Sequence, residues 1–512
     1  MLNTKLKLTL GLAALAATTA LAQTQTAAST GAASAPPAGV QPATPVAATQ
    51  AAPPATAFDQ FDQWTKDMKN PVPWFSWGAD VRLRNEYMDN NIFLNNSAPL
   101  HEQDYFRFRE RIWASVMPVT NVSVNARFSG EQREWMKPAA AGQYAGREGL
   151  EERYGILDNA YVKWSNIGGV PLSISAGRQD VQFGEPMNWW LVADGTPNDG
   201  SWTMFLDSIR VNYDAKNIKT KVDAVYIYQN ARPDAWMPTL GESGDHTPVP
   251  YNLTEQNEQG VILYLSNTSV ENMQLDGYFI YKRDDKAYSN GDNADIYTLG
   301  GKISGTPAPH LAYSLEGAYQ FGNKQDATVN PAYVNSPTDW RQISAYGANG
   351  KLTYLFKDKF DNKLSLIGEI LSGDDPNTKG TDEMFDILWG RYPRWSELYV
   401  YSYVQETSKR NGQMNNIIRF GPNWTCTPIK DTTLSVTYNA MFAPVETPTR
   451  QVNTTYFTDN GNFRGHYLQS VLKHKFNDHL SGHLWSEFVW AGDYYTHREL
   501  MTFLRAEMVF TF

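Results

Sequence analysis

The chain has 512 residues, a formal net charge of −10, 13% aromatic residues and one cysteine, Cys426. The acidic balance argues against nucleic acid as a partner, and a lone cysteine excludes an intramolecular disulfide framework. The 28 tyrosines and 16 tryptophans sit in a chain of polar mean hydropathy, with no run of about 20 apolar residues to serve as a helical anchor.

The first residues, "MLNTKLKLTLGLAALAATTALAQ", combine a basic start at Lys5 and Lys7, an apolar run from Leu8 to Ala17 and a small-residue site at Ala20-Leu21-Ala22. That order predicts a secretory signal peptide over residues 1–22. Cleavage after Ala22 removes the two lysines and takes the charge from −10 to −12. Residues 23–57 are rich in Ala, Thr and Pro and uncharged, a low-complexity tether that cannot bury a core. In residues 58–70, Phe58, Phe61, Trp64 and Met68 recur at near-helical spacing, which predicts a short amphipathic helix.

From residue 74 onward the period changes to two. "FSWGADVRLRNEY" sets Phe75, Trp77, Ala79, Val81 and Leu83 against Asp80, Arg82, Arg84 and Glu86. "YFRFRERIWASV" places Arg107, Arg109 and Arg111 at every second residue, with Phe106, Phe108 and Ile112 between them. "VSVNARFSGEQREW" repeats the pattern with Arg127, Glu131 and Arg133. A helix would scatter such residues around its axis; a strand gathers them on one face. Further strands are predicted to begin near residues 156, 172, 201, 220, 258, 273, 297, 311, 342, 363, 414, 432, 465, 479 and 501, giving about 18 in all.

The predicted connections alternate in length. Long ones cover 89–103, 136–155, 184–200, 230–257, 283–295, 322–341, 374–413, 443–464 and 492–500, with short ones between them. A soluble sandwich gives no reason for that alternation. A transmembrane antiparallel up-and-down β-barrel over 74–512 does, with short periplasmic turns, long extracellular loops and both termini on the periplasmic side. The apolar face then meets outer-membrane lipid and the charged face meets a water-filled lumen. Two residues break the pattern. Glu110 falls at lipid-facing parity, and Arg178 shares the parity of Leu172, Ile174 and Ala176.

On this reading Arg82, Arg84, Arg107, Arg109, Arg111, Arg127 and Arg133 point inward from three consecutive strands, interleaved with Asp80, Glu86 and Glu131. Same-face residues lie about 6.8 Å apart along a strand, and strands about 4.8 Å apart. Such a ladder suits a polyanion, since arginine stays charged and presents a planar fork to carboxylates. The alternative role is bracing, each arginine tied to a wall carboxylate. No catalytic, metal or cofactor motif stands out. "SGDDPNTKGTDE" (372–383) and "NGDNAD" (290–295) lack calcium-loop spacing and read as solvated loops. His466, His474, His479 and His483 read as strand and turn residues, and "WGRYPRW" (389–395) as a loop segment packed on itself or folded over the pore.

Several segments together, "SAGRQDVQFGE" (175–185), "DGTPNDGSWT" (194–203), "FDILWGRYPRWSEL" (385–398), "AGDYY" (491–495) and the arginine-rich first strands, resemble the alginate-export family of outer-membrane proteins. The likeness covers about 75–512. It implies a monomeric 18-stranded barrel, a cationic lumen that passes an anionic polyuronate by diffusion, and loops that gate the pore. It also implies that Arg178, Asp180 and Arg505 line that pore.

The expected function is therefore an outer-membrane channel for an anionic polysaccharide or its oligomers, fed by periplasmic secretion components if it exports. The alternative is a general or small-anion or sugar porin for uptake. A barrel enzyme such as a lipase would need a serine near the lipid boundary, and no nucleophile-elbow pattern supplies one. A receptor or adhesin with a plugged lumen is the remaining reading.

Overall fold

A computed structural model describes residues 57–140, 145–183, 205–232, 253–336, 338–390, 395–407, 414–450 and 454–512. The expected signal peptide, nearly all of the tether and the segment 194–203 lie outside the described residues. Residues up to Asn70 form a unit of their own. It contains helix α1 (Ala57–Lys69), in which the Phe61 and Trp64 rings lie 5.8 Å apart and the Thr65 hydroxyl donates to the Asp62 carbonyl. Trp64 and Met68 are exposed.

The second unit is one closed antiparallel barrel. Its strands are β1 (Phe75–Asp89), β2 (Glu102–Val119), β3 (Val122–Trp135), β4 (Gly149–Trp164), β5 (Leu172–Gln179), β6 (Leu206–Ala215), β7 (Thr220–Gln229), β8 (Gln256–Asn267) and β9 (Met273–Lys286). They continue as β10 (Asp292–Ala308), β11 (Leu311–Asp326), β12 (Arg341–Leu355), β13 (Lys363–Leu371), β14 (Ile417–Cys426), β15 (Thr432–Phe442), β16 (Phe463–Lys475), β17 (Leu480–Ala491) and β18 (Leu500–Thr511). Each pairs with its neighbour in sequence, and β1 closes the ring on β18 from Asp80↔Thr511 to Asp89↔Thr502. Closure leaves no unpaired edge in lipid, where an unsatisfied backbone group has no water to turn to.

The outer face is apolar. Val81, Leu83, Ile112, Leu263, Leu299, Leu315 and Leu366 are exposed, while inward residues beside them such as Arg82, Arg84, Ile262, Tyr264, Thr298, Glu316 and Ser365 are buried. On a soluble protein so much exposed apolar surface would drive association; around a barrel it is the lipid belt. Aromatic side chains mark its rims: Trp164, Tyr213 and Tyr354 near the short turns, Tyr228, Phe321 and Trp490 near the long loops. Glu110 is exposed on this outer face, and the β1–β2 register runs past it without a bulge.

Several strands differ from the expected bounds; β6 starts at Leu206 and not near 201, and β11 runs on to Asp326. β4 starts at Gly149, and its first residues escape a period-two reading because two register shifts against β3, between Arg127 and Phe128 and between Glu131 and Gln132, break the alternation. β9 and β10 run taller than expected, so the connection 283–295 shrinks to residues 287–291. There the outward positions are polar: Asp295 accepts a hydrogen bond from Tyr281 and Arg283 pairs with Asp285. The lipid signature therefore fades before the strands end.

Candidate functional site

The inner faces of β18, β1, β2 and β3 carry the predicted arginines. Arg82, Arg84, Arg107, Arg109, Arg133 and Arg505 are all buried, and Arg111 nearly so. The register sets Arg82 opposite Arg109, Arg84 opposite Arg107, and Arg107 opposite Arg133. Like charges placed so repel one another. Carboxylates between them hold the arrangement. Glu86 accepts from Arg505 Nη2 at 2.5 Å, Arg107 Nη1 at 3.2 Å and the Tyr105 hydroxyl at 2.6 Å, and lies 3.3 Å from Arg84. Glu507 accepts from Arg84 Nε at 2.6 Å and lies 3.8 Å from Arg82. Glu131 takes Arg107 at 2.8 Å and Arg133 at 3.2 Å, while Asp80 takes Arg109 at 3.5 Å and also Arg111. Among the described residues these seven guanidiniums meet the four strand-borne carboxylates Asp80, Glu86, Glu131 and Glu507.

Nearer the short turns the wall opens into a cavity of about 550 Å³ on the inner side of β2–β6. Arg111, Arg127, Lys163 and Arg210 line it together with Trp113, Tyr161 and Asp180. Trp113 reaches it because its ring lies over Gly78, its cross-strand partner, where an added Cβ would stand 2.7 Å from the indole. Arg127 donates from Nε to buried Asp158 at 2.9 Å, and from both terminal nitrogens to Asp180 at 2.8 and 3.1 Å. Arg178 does not line the cavity. It keeps the parity of exposed Ile174 and Ala176, and is fully buried. Its guanidinium donates to Asp207, its cross-strand partner, and to the Leu157 carbonyl, and lies 4.0 Å from the Phe205 ring centroid. Gly177, beside it, takes φ +126° with an added Cβ only 2.3 Å from the Ala160 carbonyl. A side chain does not fit there.

The connection from β13 to β14 folds into the barrel. Its first part packs on the wall of β8–β12. Gln320 exchanges two hydrogen bonds with the Asp386 backbone, Trp389 is fully buried against Gly260, and Lys282 lies 3.9 Å from Asp386. Thr381–Asp382 pairs with β12. Its second part, including helix α2 (Leu398–Glu406), packs on the opposite wall. Glu487 of β17 accepts from the Ser396 hydroxyl and from the backbone N–H groups of Glu397 and Leu398, capping α2 from the wall it packs on. Tyr401 meets Tyr105, Glu397 meets Arg505, Glu406 meets Arg464, and Gln405 donates to the Ile92 carbonyl. The described parts of the connection thus pack on two different walls of the lumen, with residues 391–394 of the "WGRYPRW" stretch and residues 408–413 outside the described residues.

Sequence reasoning missed much of the rest of the inner ring. Lys282, Lys324, Arg341, Arg419, Arg450 and Arg464 are all buried, with acidic partners. None belongs to an alternating arginine run, so each reads singly as an ordinary charge. The two acidic stretches read as solvated loops are in part otherwise. Asp374 and Asp382 are buried and clamp Arg341 at 2.6 and 2.7 Å, and buried Asp292 pairs with Lys324 and Arg450. Their partners lie far off in sequence, which hides the pairing. Among the described residues no group of acidic, histidine and cysteine side chains is arranged to hold a metal ion.

Residues 73–506 match the family model described as Alginate export. The chain belongs to the alginate-export family. No curated protein matches it. Among solved structures, OccAB1 of Acinetobacter baumannii is similar with a TM-score of 0.51 at 10% identity, over 85% of this chain and 96% of that one. OccK5 (OpdH) of Pseudomonas aeruginosa gives 0.46 at 12% identity, over 85% and 97%. The family and the closed 18-strand barrel place the protein in the bacterial outer membrane as a channel.

Proposed function

We propose that the lumen passes an anionic polysaccharide or its oligomers, of the alginate-like polyuronate class, by diffusion. The observation that carries this reading is the surplus of arginine over carboxylate on the inner faces of β18, β1, β2 and β3. A guanidinium held in a poorly hydrated wall attracts an anion more strongly than one in bulk water. A series of partly compensated sites, each weak enough to release, lets a chain advance from one to the next. Arg82, Arg84, Arg107, Arg109, Arg111, Arg127, Arg133 and Arg505 are the groups assigned to this path, with Asp180 at its periplasmic end. Arg178 enters as a brace between β4 and β6. The channel works as a monomer in lipid, and an exporting channel takes its cargo from periplasmic secretion components.

A second reading, a porin for small anions or single sugars, has a specific observation behind it. Described parts of the β13–β14 connection pack inside the lumen on two different walls, and its Glu397 already engages Arg505. Single-channel recording in planar bilayers separates the two. The polymer reading predicts current interruptions by oligouronate at concentrations where the monomeric uronate has no effect. Equal effects of monomer and oligomer at equal sugar concentration support the small-solute porin instead.

A further inference from the structure

The two carboxylates on Arg127 are not alike. Asp158 is fully buried, and its second oxygen accepts from the Ser129 hydroxyl at 2.8 Å. It is built into the wall. Asp180 lies just beyond the end of β5, its side chain is 27% exposed, and it lines the cavity. It meets the cavity end of the guanidinium with both oxygens, in the planar two-bond pairing that arginine makes with any carboxylate, including a uronate's. Asn159 adds one more donor to it at 3.2 Å.

The rest of the cavity has the chemistry of a sugar site. Its volume of about 550 Å³ lies within the roughly 300–1,000 Å³ typical of small-molecule sites. Trp113 and Tyr161 line it with Asn125 and Asn212, whose amide nitrogens donate to Ser123 and Asp223, while the amide of buried Gln179 is taken up by the wall at Ser175 and Ser208. Arg111 and Arg210 are tied to Asp80 and Asp223, and Lys163 has no ion pair among the described residues.

We infer that this cavity is a binding subsite for a uronate unit of an acidic oligosaccharide, and that Asp180 is a built-in stand-in for the substrate carboxylate. The inference rests on the polyanion reading and deepens it. The incoming carboxylate takes the place of Asp180 on the Arg127 fork, and Asp180 swings to solvent. No covalent bond changes. Arg127 keeps a carboxylate on that fork before and after, so the exchange avoids leaving a partly buried guanidinium uncompensated. It also keeps the site weak enough to release, because Asp180 competes for return.

The test is block of single-channel current by a galacturonate tetramer in the wild type and in Asp180→Asn, at fixed salt. The stand-in role predicts that Asp180→Asn, which leaves the fork without a competing carboxylate, binds the tetramer about tenfold more tightly, mainly through longer blocks. Two variants guard the interpretation. Asp276→Asn removes the same charge from β9, where Asp276 is buried and engages Gln274, and is expected to leave the block unchanged. The double variant Asp180→Asn/Arg127→Gln is expected to lose the gain. Block unchanged or weaker in Asp180→Asn, an equal gain in Asp276→Asn, or a gain that survives Arg127→Gln each overturns the inference while leaving a blocked wild-type channel intact. No block in any of the proteins overturns the inference and the polyanion channel together.

Discussion

At the scale of residues, the wall is a problem in charge compensation. Glu86 holds three arginines, Arg84, Arg107 and Arg505, and all four side chains are buried. Removing one member of a buried charge network leaves its partners uncompensated, at a cost of about 3–5 kcal/mol. Glu86→Gln is therefore expected to lower unfolding stability in lipid vesicles by about that much; an unchanged urea midpoint contradicts the role given to Glu86. The arginines of β1–β3 were legible because alternation places them on one face whatever the tertiary detail. Their partners were only half legible. Asp80, Glu86 and Glu131 share those strands, but Glu507 and Asp158 reach the network through closure of the ring and a shift of register. Arg178 is different, since its parity is set locally but its brace to Asp207 depends on which strand follows.

At the scale of elements, the connection from β13 to β14 decides how much of the lumen is open. Its sequence has neither period two nor a sustained period of 3.6, so its path inside the barrel was not legible. The contacts that set that path come from β8, β11, β16 and β17. Glu487 is its anchor, because it satisfies backbone donors at the start of α2 that would otherwise be buried without partners. Loss of a helix cap costs about 1–2 kcal/mol. Glu487→Ala is thus expected to raise the undocked population about tenfold, seen as more frequent or longer openings to a higher conductance. A variant with wild-type conductance and open-channel noise contradicts the anchoring role. The strands, by contrast, were largely legible, with departures where bulges in β4 or height above the lipid in β9 and β10 removed the alternation, at the start of β6 (Leu206, not near 201) and at the end of β11, which runs to Asp326.

At the scale of the molecule, long and short connections alternating along the chain were enough to fix the architecture, since only a closed meander with two unlike ends requires that pattern. The inner surface was less legible, because charges such as Lys282, Lys324, Arg341, Arg419, Arg450 and Arg464 sit on loop segments or on strands without arginine runs. The whole-molecule prediction is about sign. The wall of β18 and β1–β3 has more guanidinium than carboxylate, and a narrow lumen lets that surplus act on every passing ion. The deciding measurement is the reversal potential of the protein in planar bilayers across a salt gradient. An anion-selective potential that moves toward zero when Arg107, Arg109 and Arg111 become alanine is the predicted result. A cation-selective or unselective pore, or a potential indifferent to those three substitutions, would contradict the account and leave the arginines as bracing alone.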